Sequence, residues 1–332
     1  MTDGATDSAR AEATAPAGAD AGTLGRVAGV DIGGTKILGV VVDPTDPTTV
    51  LVEHRVPTPD GAEAVLDAIA AVVKELAQEQ PVTSVGVGIA GLVNRDGMLR
   101  IGPNLPNMHD VSVGTELTNR LDLPVRVDND ATCAAWGEHK AGAARGFADA
   151  VCVALGTGIG AGIVAGGELE RGTHGFAGEA GHMVVDPAGP LCPCGRRGCW
   201  ERMASGSGLG RLARDAAEAG RLDRSLALAG GDVMAVRGEH VAQAASEADQ
   251  QALDLLRSFA WWVAVGIANL VTLLDPGVVV IGGGLIEIGD PLLLPVRDHY
   301  QDLVMAHDER PDVRIVAAEL GERAGAIGAA LL

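Results

Sequence analysis

Val27-Ala28-Gly29-Val30-Asp31-Ile32-Gly33-Gly34-Thr35-Lys36 is an apolar strand running into a glycine bend. A second apolar strand follows at 37–42 and a third at 51–56, giving a meander. Ala154-Leu155-Gly156-Thr157-Gly158-Ile159-Gly160 repeats the design between apolar segments at 150–155 and 160–164. Both are hairpins whose glycine-rich bend carries a threonine. The chain therefore reads as two similar halves facing a cleft.

The segments between them support an α/β fold. Val65, Ile69, Val72, Val73 and Leu76 stand at helical spacing within 62–79, and Pro81 separates them from a strand at 85–89. A short helix at 113–121, a strand at 125–127 and an Ala-rich helix at 131–144 continue the alternation of helix and strand. Past a loop-rich stretch to about Ser205, helical segments are expected at 207–219 and 240–274. A strand at 278–281 runs into Gly282-Gly283-Gly284, and further helix, strand and helix follow. The Ala-rich end, 324–332, is expected to pack back on the first domain.

A chain of 332 residues with 47% hydrophobic content has material for two domains with sizeable cores. The expected division is a disordered tail over 1–24, an α/β domain over 25–144 joined by a C-terminal helix at 320–332, and a second α/β domain over 145–319. The tail lacks the basic start and apolar stretch of a signal peptide. A formal net charge of -19 argues against nucleic acid or an anionic membrane as partner, because an acidic surface repels phosphate. With 2% aromatic residues there is no stacking platform for single strands either. The most apolar stretch, 259–274, is interrupted by Gly266 and Asn269 and falls short of the ~20 residues of a membrane span, so it reads as a buried helix.

An anionic ligand must then meet a local trap, and the glycine bends supply one. Without a Cβ, and with positive φ open to them, such bends let successive N–H groups converge on phosphate. Asp31 would be unwelcome beside phosphate unless it holds magnesium, often through water. Its presence suggests a nucleotide–magnesium site, which Lys36 can reach as a point charge or leave for solvent. The P-loop signature is absent. Gly156 to Ala161 match G-x-G-x-x-A, but 163–167 read as strand and turn where a dinucleotide fold needs a helix.

Two clusters carry further chemistry. Asp128-Asn129-Asp130-Ala131 sits at the carboxyl end of a strand, where α/β sites form. Helix capping accounts for one of these residues. A carboxylate there can also accept the proton of a hydroxyl attacking phosphorus. His182 precedes Cys192-Pro193-Cys194-Gly195-Arg196-Arg197-Gly198-Cys199. One His and three Cys make a closed tetrahedral set for a structural zinc ion, and such a site suits the reducing cytoplasm. Cys133 and Cys152 fall on apolar positions and read as buried small hydrophobes.

Taken together, Asp31-Ile32-Gly33-Gly34-Thr35-Lys36, Pro103-Asn104-Leu105, Asn129-Asp130-Ala131, Gly156-Thr157-Gly158, Gly178-Glu179-Ala180-Gly181-His182 and the C-x-C-G-x-x-G-C-x-E motif ending at Glu201 resemble the zinc-bearing sugar kinases of the ROK family (repressor, open reading frame, kinase). The resemblance covers about residue 26 to the end. It implies the actin-like, ribonuclease H-like pair of domains and transfer of phosphate from Mg-ATP to the 6-hydroxyl of glucose. By motif, Asp130 would be the catalytic base, and Asn104, Asn129, Glu179, His182 and Glu201 would bind the sugar. Asp31, Gly33, Gly34, Thr35, Lys36, Thr157 and Gly158 would surround the phosphates, and Gly283 and Gly284 the adenosine. His182 would also ligate zinc with Cys192, Cys194 and Cys199. A homo-oligomer, dimer or tetramer, is expected. N-acetylmannosamine or another hexose stays open as substrate. So does a sugar-responsive repressor or sensor, although the part before Val27 has no helix-turn-helix periodicity.

Overall fold

The computed structural model describes residues 25–105 and 107–332, and the tail expected over 1–24 lies outside them. The first hairpin pairs β1 (Val27–Ile32) antiparallel with β2 (Lys36–Asp43), and β3 (Asp46–Pro57) extends it. Helix α1 (Ala62–Glu79) leads to β4 (Ser84–Ile89), which runs parallel to β1. The strands β5 (Leu92–Val93), β6 (Leu99–Ile101) and β7 (His109–Val111) and helix α2 (Val113–Leu121) precede β8 (Val125–Asn129), which adds to β4 in parallel and turns directly into α3 (Asp130–Ala141). The sheet order is β3-β2-β1-β4-β8.

The second half repeats this scheme. β9 (Ala150–Leu155), β10 (Ile159–Ala165) and β11 (Glu168–Leu169) form the meander. The cysteine loop and helices α4 (Trp200–Ala204), α5 (Gly206–Glu218), α6 (Asp223–Leu228), α7 (Gly238–Ser246) and α8 (Gln250–Leu274) come next. β12 (Val278–Gly282), α9 (Asp290–Leu303), β13 (Arg314–Ala317) and α10 (Ala324–Ala330) complete the order β11-β10-β9-β12-β13. In each sheet one antiparallel hairpin is followed by two parallel strands, the ribonuclease H-like arrangement of an actin-like α/β fold. The repeat seen in two glycine hairpins is thus a repeat of whole sheets.

Strand alternation decides which residues meet between the sheets. Ala28, Val30 and Ile32 of β1 join the core under α1, which sends Val27, Gly29 and Asp31 to the opposite face. In β9, Val151, Val153 and Leu155 join the large core of α4 to α9, and Ala150 and Cys152 face α3. The layer between the sheets is α3 with α10, and its Ala and Gly content is a packing requirement. A Cβ on Gly137 would lie 2.4 Å from the Ala324 carbonyl, and one on Gly29 would lie 1.9 Å from that of Ala326.

Three readings need correction. The helix expected over 240–274 is two, broken at Ala248 (φ 62), after which Asp249 caps α8 by accepting the Ala252 N–H at 2.9 Å. The strand expected at 125–127 continues through Asn129. The antiparallel sheet of β5, β6 and β7 was not foreseen, since strands of two or three residues carry no alternation. Helix α8 is long and apolar enough to cross a membrane, yet Phe259, Ala260, Val263, Ala264 and Ile267 are sealed in the core. Gly266, read as an interruption, is the socket for Trp200: a Cβ there would lie 1.9 Å from the indole.

Candidate active site

Asp31 and Asp130 come together over a glycine. Asp31 pairs with Gly88 across β1 and β4, and a Cβ on Gly88 would lie 3.5 Å from the Asp130 Cα and 3.1 Å from the Cys133 sulfur. A side chain at 88 would press on Cys133 of α3, so the bare position favours the close approach of α3 to β4. Burial and then the Asp130 charge push Asp31 up to about 7, with Lys36 pulling the other way. Burial raises Asp130 as well, partly offset by the Ala131 N–H, which donates to its carboxylate at 2.9 Å. A base with a raised pKa accepts a proton more readily near neutrality.

The second half brings its own acids to the same place. Burial raises Glu179, with His182 opposing and the Asp130 and Glu201 charges adding to it. Glu201 accepts the Ile159 N–H at 3.0 Å, and a Cβ on Gly158 would lie 2.3 Å from its carboxylate. The residue expected at the sugar therefore also supports the second glycine bend. Its position follows from its neighbour Trp200, buried with its Nε1–H donating to the Trp262 carbonyl at 2.8 Å.

His182 stands between the acids and the cysteines. Its Nδ1 lies 3.8 Å from the Cys192 sulfur, and its Nε2 lies 4.0 Å from the Glu179 carboxylate. The Cys194 and Cys199 sulfurs are 3.5 Å apart, and all four ligand atoms fall within 4.8 Å of one another. Tetrahedral zinc, with bonds of about 2.0–2.3 Å, sets its ligands up to about 3.8 Å apart, which the 3.5 and 3.8 Å separations match, and three thiols with one imidazole are its usual donors. The loop is shaped for this by Gly195 (φ 90), whose N–H donates to the Cys192 carbonyl at 2.9 Å, and by Gly198 (φ 65), where a Cβ would collide with the Asp186 carbonyl. The backbone N–H of Arg196 holds Cys194 below the usual thiol range, while burial raises Cys192 and Cys199.

The glycine bends owe their glycines to proximity more than to φ. Gly33, Gly34, Gly156 and Gly158 do not use the positive φ open to them, whereas Gly283 does (φ 81). A Cβ on Gly34 would lie 2.9 Å from the Asn104 carbonyl, and one on Gly156 or Gly284 would meet nothing within 4 Å, leaving open space in front of both. Exposed Asn104 thus packs its backbone on the first bend. Thr35 and Thr157 are exposed at their bends. Lys36 is ion-paired with Glu322 at 2.9 Å. Asn129 is the cap of α3: its Oδ1 accepts the Thr132 N–H at 3.0 Å, and its amide donates to the Gly91 carbonyl at 3.0 Å. One amide hydrogen and one lone pair remain for a ligand.

Sequence reasoning missed the start of α5. The Gly206 N–H donates to the Gly156 carbonyl at 2.8 Å, and the Ser207 hydroxyl to that of Thr157 at 2.8 Å, so this helix end backs the second bend. The run Ser205-Gly206-Ser207-Gly208 was the available signal. A separate hollow of about 390 Å³ is lined by Arg95, Arg126, Asp128 and Arg171 among others.

The model of the ROK family matches residues 27–332. The chain is 41% identical to a glucokinase of Streptomyces coelicolor, over 92% of this chain and 97% of that one. It is 35% identical to an N-acetylmannosamine kinase of Citrobacter koseri, over 91% and 97% respectively. A ROK family glucokinase from Streptomyces griseus, solved in complex with glucose and AMPPNP, superposes with a TM-score of 0.82 at 40% identity, covering 92% of this chain and 98% of that one.

Proposed function

The chain belongs to the ROK family, and on that premise we propose that it transfers the γ-phosphoryl group of ATP to the 6-hydroxyl of glucose, with Asp130 as the base. The observation that carries this reading is the meeting of Asp31 and Asp130 over Gly88, beside glycine bends from both halves. A hydroxyl attacking phosphorus must lose one proton, and a half-buried carboxylate of raised pKa at the start of α3 is suited to take it. Asn129, Glu179, His182, Glu201 and Asn104 would bind the sugar hydroxyls. The N–H groups of Gly33, Gly34, Thr35, Thr157 and Gly158 would hold phosphate, and Gly283 and Gly284 would border the adenosine. Lys36 can join them only by leaving Glu322.

Asp31, Asp130, Glu179 and Glu201 make the site acidic, so phosphate needs a counter-charge. Mg²⁺, which Asp31 would hold, would neutralise the charge of the nucleotide phosphates. Zinc on His182, Cys192, Cys194 and Cys199 would be structural, since four protein ligands leave no open position. It would orient His182 and the loop bearing Glu179. Residues 25–144 with 320–332 would form one domain and 145–319 the other, with closure between them excluding water.

An ADP-coupled assay over glucose, mannose, fructose and N-acetylmannosamine tests the reading. ADP release fastest with glucose is expected. Preference for N-acetylmannosamine would move the substrate, and no release with any sugar would remove the kinase.

A further inference from the structure

Two carboxylates are buried among the described residues, Glu138 and Asp128. Glu138 is held by backbone alone, accepting the N–H groups of Ala143, Glu319 and Leu320 at 2.8, 3.2 and 2.8 Å. Asp128 is held differently. One oxygen accepts the Asn129 N–H at 2.8 Å, and the other accepts the Nε–H of Arg171 at 2.6 Å. Arg171 comes from the other half of the chain, just past β11. The Asp128 side chain is 8% exposed and that of Arg171 is 32% exposed, so the pair is poorly screened and its hydrogen bond is charge-assisted.

Arg171 opens the loop that leads to Glu179. Its carbonyl accepts the Ala177 N–H at 3.1 Å, closing the loop on itself. The next residue, Gly172, offers its carbonyl to the Nε–H of Arg95 at 2.7 Å. Gly175 (φ 92) lies so near the turn between β5 and β6 that a Cβ would be 2.8 Å from the Arg95 nitrogen. The loop is therefore docked on the first half at three points, and only the Arg171 contact reaches β8, two residues before Asp130.

We propose that Arg171 is a positioning residue: its pair with Asp128 sets the loop of Glu179 and His182 in register with Asn129 and Asp130, aligning the sugar with the base while touching neither. This rests on the roles given above to Asp130 and Glu179. Arg171→Met should raise the glucose KM and lower kcat by about tenfold each, with the ATP KM unchanged, because only the sugar's alignment depends on the loop. Removing one charge leaves the other buried and unpaired, which can cost folding. Asp128→Asn and the doubly neutral Arg171→Met/Asp128→Asn are therefore measured alongside. The double variant should be no worse than either single one, and Arg171→Lys should recover part of the loss.

A merely structural role would lower the active fraction and leave both KM values alone, and that result overturns the proposal. So would defects that multiply in the double variant, an ATP KM that rises in step with that of glucose, or loss of zinc in Arg171→Met. If the unmodified enzyme releases no ADP, the kinase reading fails instead, and the two failures are distinct.

Discussion

The β1–β2 and β9–β10 hairpins occupy the same place in their sheets, yet only the first carries an acid. Asp31 pairs with Gly88 on the parallel neighbour, while its counterpart Ala154 pairs with Gly282. Ala154 also lies opposite Gly160, whose Cβ position is 2.7 Å from the Ala131 Cβ, so a carboxylate at 154 would crowd the start of α3. A third carboxylate beside Asp31 and Asp130 would raise both further by repulsion. A duplicated frame has thus been given two tasks. The first half supplies Asp31 and Asp130, and the second supplies an open bend at Gly156 and, through its long insertion before β12, the loop with the cysteines.

The sharpest way to break this division is at the base. Asp130→Asn keeps the shape of the side chain and removes the proton acceptor, so kcat should fall by about 10²–10⁴ with little change in glucose binding. Near-normal turnover would take the proton transfer away from the first half. Asp31→Ala should cost about 10–100-fold in the use of Mg-ATP, at the level typical of groups that hold a metal's surroundings. A defect that collapses glucose affinity and ignores added magnesium would put Asp31 on the sugar instead.

Smaller effects are expected from the second half, because zinc would act there through alignment. Cys199→Ala should lower zinc below about one ion per chain by elemental analysis, raise the glucose KM about tenfold and lower kcat, with no rescue by magnesium. A zinc-free enzyme with unaltered glucose affinity would detach the cysteine loop from the pocket.

The smallest effect concerns stability without ligands. Asp31 has a folded pKa of about 7 against an ordinary 3.8, so between those values the folded state binds more protons than the unfolded one. Its contribution is therefore most favourable below about pH 4, declines as pH rises to about 7 and is level above that. Asp31→Asn should stabilise the magnesium-free protein by ~1–2 kcal/mol at pH 8, discounted for the half-open side chain, and give no gain at pH 4. Equal urea midpoints for the two proteins at pH 8 would show that the first half carries its acid without strain.

Much of this was legible because the sequence encodes it locally. The helix at 62–79 and the strand at 150–155 were read with the bounds they have, since apolar spacing and turn residues suffice to mark them. The cysteine cluster was legible because its four ligands span few residues. What escaped depends on distant partners. Nothing near Lys36 in sequence announces Glu322, and nothing near Asp128 announces Arg171. The reason read from sequence for the glycines of the bends is incomplete, since the space at Gly34 and Gly158 is claimed by Asn104 and Glu201 from other segments.

The contact of α10 with β1, β2 and β4 also governs the order in which the molecule can be assembled during synthesis. Val27, Leu38, Val40 and Val42 share a core with Ala326 and Ile327, so the first sheet to be made keeps one face uncovered until α10 has been added. The second sheet is complete before that, apart from the support it shares through α3. Asp130, at the head of α3, acquires its final surroundings only when α10 slides against Gly137 and Cys133. The first sheet to be made thus depends for its cover on α10, an element made after every strand of the second.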